Sequence, residues 1–251
     1  MRRGRIGRIL VAVSLVGAGL AAAPAVASYP AEALLPDIGM APLRDFSVQK
    51  RPKGERWLRF SAVIVNVGAG PFQAYGYNRN AAGQLQVDQE IWTPGDWVRE
   101  PTTAQMYWSG DGHNHWHVRD LEQYVLEGQN GRYRLYGEKH GFCFWDNYRY
   151  NLNLDDAPTT AQYTGANSCG SSSSNATVQM GLSIGWGDIY PASITDQYIN
   201  ISSLPAGEYT VTATADWANA FVESNDSNNG TTARIRINKN GATLLDPGTG
   251  P

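Results

Sequence analysis

Three histidines separated by single residues form the part of this 251-residue chain whose composition and spacing most clearly suggest chemistry. They are His113, His115 and His117, three of the four histidines in the chain. Residues i, i+2 and i+4 of a β-strand point to the same face, so the three imidazoles are predicted to share one face. Three neutral imidazole nitrogens with an open coordination position suit zinc or copper. The spacing therefore predicts a metal site.

A straight strand would hold the two outer histidines too far apart for one ion. At about 3.3 Å per residue, the Cα atoms of His113 and His117 would be about 13 Å apart. We therefore expect the segment to bend or bulge, and Gly110, Gly112 and Asn114 tolerate the backbone dihedrals that a bend requires. The alternative is a polar strand face whose histidines contact only solvent, which the concentration of histidine in this segment disfavours.

Residues 1–27 have the composition of a secretory signal peptide. Arginines precede an apolar run over residues 9–20, and the small residues Ala25 and Ala27 suit cleavage after position 27. The apolar run is too short to span a bilayer well and no second one follows, so we expect a secreted protein without a stable membrane anchor. Residues 28–251 are long enough for one domain with a hydrophobic core.

The charge of the mature chain bears on its partners. Cleavage would remove Arg2, Arg3, Arg5 and Arg8, leaving 16 basic against 23 acidic residues and a net charge of −7. This balance disfavours a nucleic-acid partner. An acidic surface would concentrate cationic small molecules or lysine-rich segments, although a net charge of this size also serves solubility alone.

Nearly all secondary-structure signals of the mature chain are those of β-strands. The segments RWLRFSAVIVNVG, GEYTVTATADWANAF and TTARIRIN are rich in β-branched residues or alternate along the chain, and no segment keeps a 3.6-residue period for long. Segments such as SCGSSSSN and NDSNNG indicate loops. We expect a single-domain, all-β fold, an antiparallel β-sandwich or barrel with long loops.

The two cysteines of the chain are Cys143 and Cys169. In a secreted protein they are predicted to form a disulfide, and closing a loop of this length would stabilise the fold by roughly 3 kcal/mol. The alternative is that one thiolate is a further soft ligand of the metal.

A different metal site would use only two of the histidines. Cupins place a glutamate and a glycine at fixed offsets after two histidines that are one residue apart, and His115, His117 and Glu122 approach this pattern. The flanking glycines are one residue out of place. A cupin-like metalloenzyme is therefore an alternative.

Three longer segments carry a resemblance to a known family. GDGHNHWHVRDLEQY, GEKHGFCFWDN and GLSIGWGDIYPASITDQYINISSLPAGEYTV occur in the order and at the approximate spacing of the catalytic domain of the lysyl oxidase family. The similarity extends from LPDIG at 35–39 to VESNDSNN at 222–229. The chain is thus identified as resembling a secreted, single-domain member of this family over residues 28–251.

The resemblance implies a copper amine oxidase on a β-sandwich, with His113, His115 and His117 as the copper ligands. It also implies a cofactor that the chain makes from itself, because in the family a lysine and a tyrosine cross-link to form lysine tyrosylquinone. The matching residues are Lys139 and Tyr190. The implied reaction converts primary amines, with the side-chain amine of protein lysine as a candidate, to aldehydes, and dioxygen to hydrogen peroxide, with release of ammonia.

A base must remove a proton from the substrate carbon in such a reaction. Asp120, three residues after the last histidine of the triplet, is a candidate for that base. It is equally a candidate for orienting one of the histidines through a hydrogen bond.

The resemblance further implies a calcium site, because calcium prefers oxygen ligands. The matching positions are Asp37, the carbonyl of Ile38, Glu223, Asn225, Asn228 and Asn229. Asn225 stands where an aspartate is usual, so the site has one charge fewer and is expected to bind calcium more weakly. The alternative is a polar hairpin turn.

One alternative comes from another functional class. A non-catalytic secreted module that binds copper or acts at the cell surface could use the same fold and the same histidines. Formation of the quinone cofactor discriminates between this alternative and the oxidase.

Overall fold

The computed structural model describes residues 30, 32–110 and 114–251. The predicted signal peptide, residues 1–27, and the predicted ligand His113 lie outside these residues. No helix of the described part is long and apolar enough to cross a membrane. The strands are β1 (Ile38–Met40), β2 (Arg44–Lys50), β3 (Arg56–Asn66), β4 (Phe72–Tyr77), β5 (Leu85–Thr93), β6 (Asp96–Trp108), β7 (Trp116–Arg119), β8 (Glu122–Gly128), β9 (Arg134–Tyr136), β10 (Gly141–Phe142), β11 (Tyr148–Arg149), β12 (Val178–Leu182), β13 (Trp186–Tyr190), β14 (Tyr198–Asn200), β15 (Gly207–Ala215), β16 (Gly230–Ile237) and β17 (Ala242–Asp246).

Strands β15 and β16 follow the alternation of their sequence. They pair antiparallel, from Gly207 opposite Ile237 to Thr214 opposite Gly230. In β16 the side chains of Ala233, Ile235 and Ile237 are buried, while the residues between them are exposed. The period of two therefore places the apolar residues in the core, as the sequence predicts.

Strand β3 is a central strand, and its composition explains why. Its C-terminal half, from Phe60 to Asn66, is buried on both faces and nearly continuously apolar. Such a strand has neighbours along its whole length. Strands β1, β2, β13 and β14 all pair with it.

The strands form three antiparallel sheets around a shared core. The Tyr190 sheet contains β1, β2, β3, β11, β13 and β14; the histidine sheet contains β4, β5, β6, β7, β10 and β12; the C-terminal sheet contains β8, β9, β15, β16 and β17. One core cluster includes Phe60, Trp116 and Tyr124, one from each sheet. The prediction of a single-domain, all-β, antiparallel fold is confirmed, and the division into three sheets is what the sequence pattern did not reveal.

Candidate active site

A bent hairpin between β6 and β7 positions two of the three predicted copper ligands. His117 lies in β7 opposite Tyr107 of β6, and the amide of Ser109 donates to the carbonyl of His115 at 3.0 Å. Asn114 has a φ of +51°, in the left-handed region that asparagine tolerates. The segment therefore bends before β7 begins, at one of the three residues expected to permit it.

The side chains of His115 and His117 converge. Their Nε2 atoms are 2.8 Å apart, and both residues line a pocket of 280 Å³. Two nitrogens bonded to one ion at about 2.0 Å, with about a right angle between the bonds, are also about 2.8 Å apart. The donor type and the spacing fit copper, with His113 as the predicted third ligand. Among the described residues, no three histidine, cysteine or acidic side chains form a metal cluster.

Lys139 and Tyr190, the predicted cofactor residues, lie in this same pocket. Tyr190 is the last residue of β13, and Lys139 lies in the loop between β9 and β10. The Nζ atom of Lys139 is 5.3 Å from the centroid of the Tyr190 ring, and both residues are buried. The fold therefore brings together two side chains that are distant in sequence and places them beside His115 and His117.

The disulfide between Cys143 and Cys169 forms as predicted, with Cα atoms 5.7 Å apart. Both sulfurs are in this bond, so neither cysteine is a thiolate ligand. The disulfide also connects the two halves of the pocket. The carbonyl of Cys143 accepts a hydrogen bond from the Tyr190 hydroxyl, and the carbonyl of Cys169 accepts one from the amide of Trp116, which lies between the two histidines.

Asp188 lies in the same pocket and is not among the residues predicted from the sequence. It is 2% exposed, and its carboxylate accepts a hydrogen bond from the side chain of Asn147. Burial raises the pKa of Asp188 well above that of an ordinary aspartate, although interactions with Tyr190 and Asn147 oppose this. Asp188 is two residues from Tyr190 in the same strand, so the period of two could have placed it on the Tyr190 face.

The phenol of Tyr190 is held in its protonated form. Burial raises the pKa of Tyr190 well above that of an ordinary tyrosine, and the nearby carboxyl of Asp188 raises it further. A bound cation would act in the opposite direction, because positive charge stabilises a phenolate. A metal ion bound by His115 and His117 would therefore lower the pKa of Tyr190 in this pocket.

The two acidic residues that follow His117 in the sequence lie outside the pocket of Tyr190. Asp120 has its carboxylate 3.2 Å from the Nδ1 atom of His140, the histidine outside the triplet, and it does not line the pocket of Tyr190. Glu122 lines a separate pocket together with Asp120 and Lys139. Because Glu122 does not converge with His115 and His117, the cupin arrangement does not form.

The predicted calcium ligands meet where β1 contacts the turn before β16. The side-chain amide of Asn228 donates to the carboxylate of Asp37 at 2.8 Å, and that of Asn229 donates to Glu223 at 2.9 Å. The backbone amide of Ile38 also donates to Glu223. Five of the six predicted residues therefore adjoin one another across a large sequence separation.

Asn225, the sixth predicted residue, is engaged within its own turn. Its side-chain oxygen accepts hydrogen bonds from the amide and the hydroxyl of Ser227, at 3.1 and 2.6 Å. It therefore caps the short 3-10 turn over Asp226–Asn228, and its oxygen is not free for an ion in this arrangement.

Two features of this cluster fit an oxygen-liganded cation. The side-chain oxygens of Asn228 and Asn229 are buried, and they have no hydrogen-bond partner within the described part of the chain. Burial, together with the nearby carboxylates of Asp216 and Asp226, raises the pKa of Glu223 to about 8. The Glu223 carboxyl group and the amide oxygens of Asn228 and Asn229 are oxygen donors of the kind that calcium prefers as ligands.

A pocket that places convergent imidazoles beside an oxidisable phenol is a kind of site that metal-dependent oxidoreductases use. The family model for lysyl oxidase matches residues 73–246, which is more than half of the chain. The chain therefore belongs to the lysyl oxidase family, as the sequence resemblance indicates. Membership of this family supports an oxidoreductase function. No curated protein sequence matches the chain.

Proposed function

We propose that this protein is a copper- and quinone-dependent amine oxidase. It deaminates primary amines, including the side-chain amine of peptidyl lysine, to aldehydes, and it converts dioxygen to hydrogen peroxide with release of ammonia. The observation that supports this most directly is the position of the Lys139 amine, 5.3 Å from the centroid of the Tyr190 ring, in a pocket that also contains His115 and His117.

His113, His115 and His117 would hold the copper ion. Lysine tyrosylquinone, when it has formed from Lys139 and Tyr190, supplies an electron sink with a carbonyl that condenses with a primary amine. The chain surrounds this position with buried groups, because Lys139, Tyr190 and His117 are each at most 5% exposed. Burial limits the access of water and strengthens the electrostatic interactions within the pocket.

Asp188 is better placed than Asp120 to remove a proton from the substrate carbon. It lines the pocket beside Tyr190, whereas Asp120 pairs with His140 outside it. Burial raises the pKa of Asp188, and a carboxylate whose conjugate acid is weaker than usual is a stronger base near neutral pH. Asp120 is the second candidate for this base, and mutation of each residue distinguishes the two.

The calcium cluster and the disulfide would stabilise the scaffold around this pocket. Asp37, Ile38, Glu223, Asn228 and Asn229 would supply oxygen ligands, and Asn225 would join them after leaving its turn. Lysyl oxidase family members are typically secreted. The disulfide agrees with export, because disulfides persist in oxidising compartments.

The test is to form the cofactor in the purified mature protein. After copper loading and exposure to oxygen, peptide mapping should find the segments of Lys139 and Tyr190 covalently joined and reactive with a hydrazine. Peroxide production should then depend on an added amine. Lys139→Ala or Tyr190→Phe should abolish both signals while the copper content stays unchanged.

Matched controls are available on the protein surface. Lys239→Ala and Tyr133→Phe change the same residue types outside this pocket, at an exposed and a half-buried position, and should leave both signals intact. A folded, copper-loaded wild-type protein whose two peptides run separately, and which yields no peroxide with any amine, would instead support the non-catalytic copper-binding module.

A further inference from the structure

A second pocket reaches Lys139, which is the one described residue that lines both this pocket and the pocket of Tyr190. Its volume is 330 Å³. Tyr136 and Trp217 form its rim and are 51% and 46% exposed, whereas Glu122 inside it is only 2% exposed. The pocket therefore leads from solvent to the lysine without touching the tyrosine, so it is not a route for substrate to the Tyr190 ring.

The interior of this second pocket contains a carboxyl group in which only one of the two oxygens has a hydrogen-bond partner. Glu122 accepts a hydrogen bond from the hydroxyl of Tyr124 through Oε2, but its Oε1 atom is buried and has no partner in the described part of the chain. Buried polar atoms without partners are uncommon in folded proteins, and they often mark a group that binds water, a ligand or a proton. The free oxygen of Glu122 is thus available to a neighbour in the pocket.

Lys139 lines the same pocket and is a cation from which this carboxyl group could take a proton. Its side chain is 1% exposed, and its Nζ atom is 3.4 Å from the carboxylate of Asp196. The charge of Lys139 also acts on Glu122, where it favours the ionised carboxylate. Asp196 stabilises the lysine as an ammonium, which has no lone pair. A proton must therefore leave Lys139 before its nitrogen can bond to any ring carbon of Tyr190.

We propose that Glu122 is the base that takes this proton, and that the second pocket carries the proton to solvent. In the step, one N–H bond of the Lys139 ammonium breaks and an O–H bond of Glu122 forms, leaving a neutral amine and a neutral carboxylic acid with no change of oxidation state. The inference rests on the proposed function, since it concerns how the cross-link between Lys139 and Tyr190 forms.

The acidity of Glu122 suits this role. Burial raises its pKa to about 8. An ordinary lysine ammonium, of pKa about 10.4, transfers its proton to an ordinary glutamate with an equilibrium constant of roughly one in a million. Transfer to a carboxylate whose pKa is about 8 is unfavourable by only a few hundredfold. Burial therefore makes the Glu122 carboxylate a stronger base than that of an ordinary glutamate.

Other titratable groups face this pair, and the comparison must hold them fixed. They are His115, His117, Asp120, Tyr124, Tyr136, His140, Asp188, Tyr190 and Asp196. Glu122→Gln keeps all of them and preserves the shape of the side chain. The difference between the wild-type protein and this variant therefore isolates the ionisation of Glu122.

The first arm of the experiment uses copper-free protein, so it does not depend on oxidase function. The amines are labelled with a small acylating reagent across pH, and each lysine is followed by peptide mass spectrometry. The chain has four lysines, and the exposed Lys50, Lys53 and Lys239 serve as internal standards. If Glu122 and Lys139 are coupled, Glu122→Gln should shift the labelling of Lys139 to lower pH by about one unit and leave the standards unchanged.

The second arm follows the rate of cross-link formation after copper is added in the presence of oxygen. The wild-type rate should rise with pH and level off near pH 8, where Glu122 becomes ionised. Glu122→Gln should be about a hundredfold slower and should rise with pH without levelling, and Glu122→Asp should recover part of the rate. Copper content should be equal in all variants.

Glu90→Gln is the matched control, because Glu90 is also buried but is already bonded to Gln73 and Arg99. It should cross-link like the wild-type protein. The proposal requires both arms, so a Glu122→Gln protein that labels or cross-links like the wild type overturns it. If Glu122→Gln shifts the labelling of Lys139 but the wild-type protein never cross-links, the proposed function fails, and the inference fails with it.

Discussion

At the scale of residues, the copper-free pocket favours protonated acids. Burial raises the pKa of Asp188 and of Tyr190; the carboxyl of Asp188 raises the pKa of Tyr190 further, whereas a hydrogen bond with Tyr190 lowers the pKa of Asp188. A divalent cation held by His115 and His117 would reverse this effect, because it stabilises carboxylate and phenolate anions. Metal binding and ionisation of the pocket are therefore coupled, and copper loading should release protons.

The imidazoles themselves give the first prediction. His115→Ala or His117→Ala should abolish binding of about one copper per chain, since each removes a ligand from a site that has no excess of donors. Copper content is measured by elemental analysis after dialysis of the loaded protein. His140→Ala, which removes the histidine paired with Asp120, is the control and should retain its copper. Full copper content in both ligand variants would exclude the triplet as the site.

The identity of the base gives a second prediction. Asp188→Asn keeps the shape of the side chain but removes its basicity, so turnover should fall by about 10²- to 10⁴-fold. Hydrazine titration should still find the cofactor, which separates a slow reaction from a missing cofactor. Turnover is measured as amine-dependent peroxide per hydrazine-reactive site.

Asp120→Asn is the matched comparison for Asp188→Asn. It changes the same residue type outside the pocket and should retain most of the turnover. The opposite result, with Asp120→Asn inactive and Asp188→Asn active, would make Asp120 the base despite its contact with His140.

Single residues were predictable from the sequence where their spacing or their family pattern is unusual. The histidine triplet is such a case, and Lys139 and Tyr190 follow from the resemblance. Asp188 was not predicted as a site residue, and Glu122 was considered only as a cupin-type metal ligand, because an isolated acid has no signal of its own. Their roles depend on burial and on neighbours such as Lys139, which only the tertiary structure supplies.

At the scale of elements, the pocket joins two short strands, β7 and β13, with the loops between strands. His117 lies in β7, which pairs with β10, and Tyr190 lies in β13, which pairs with the central strand β3 opposite Ala62. The histidine sheet and the Tyr190 sheet are connected near the pocket by the disulfide between Cys143 and Cys169. The loop that carries Lys139 is held by backbone hydrogen bonds from the amide of Gly137 to the carbonyl of Tyr124 and from the amide of Glu138 to the carbonyl of Tyr198.

The disulfide therefore gives a prediction about both stability and assembly. Replacing Cys143 and Cys169 by alanine together should lower the free energy of unfolding by roughly 3 kcal/mol, because the unfolded chain loses a cross-link. Denaturant titration measures this change. The yield of the Lys139–Tyr190 cross-link should also fall, since the carbonyls of both cysteines hold pocket residues.

Thiol titration provides the control for this prediction. The denatured wild-type protein should contain no free thiol, so that its stability refers to the oxidised form. If the double variant unfolds at the same denaturant concentration as the oxidised wild type, the disulfide has no stabilising role.

Long strands could be predicted from the sequence, whereas the shortest strands could not. The alternating segments of β15 and β16 and the apolar run of β3 were predicted as strands, because each carries enough residues to show a period. Strands β10 and β11 contain two residues each, which is too short for any period to appear. The assignment of strands to three sheets also depends on long-range pairing, such as β13 with β3, which local sequence does not encode.

At the scale of the whole molecule, the cluster of predicted calcium ligands joins segments that are far apart in the sequence. Asp37 and Ile38 near the start of the described residues contact Glu223 and Asn228 near its end. Closing so long a loop costs little more than closing a shorter one. Calcium bound there would therefore stabilise the fold as a whole, because the contact is lost when the chain unfolds.

The pKa of Glu223 determines how this effect depends on pH. Without calcium its pKa is about 8 in the folded protein, against about 4.5 for an ordinary glutamate. The folded protein then holds a proton that the unfolded chain has released, so stability falls as pH rises from about 4.5 to 8. The loss amounts to at most a few kcal/mol. Calcium should remove it by stabilising the ionised carboxylate.

We therefore expect calcium to raise the melting temperature more at pH 8 than at pH 5, and Glu223→Gln to abolish most of this rise. Melting curves with calcium and with a chelator measure the difference. Glu122 titrates over the same range, but it lies in a different pocket, so its contribution cancels in that difference. Glu208→Gln, a change at a half-buried residue of the C-terminal sheet, should respond to calcium like the wild type. A melting temperature that calcium leaves unchanged at both pH values would reduce the cluster to a polar turn. The proposed copper site would be unaffected, because the pocket of Tyr190 shares no described residue with the cluster.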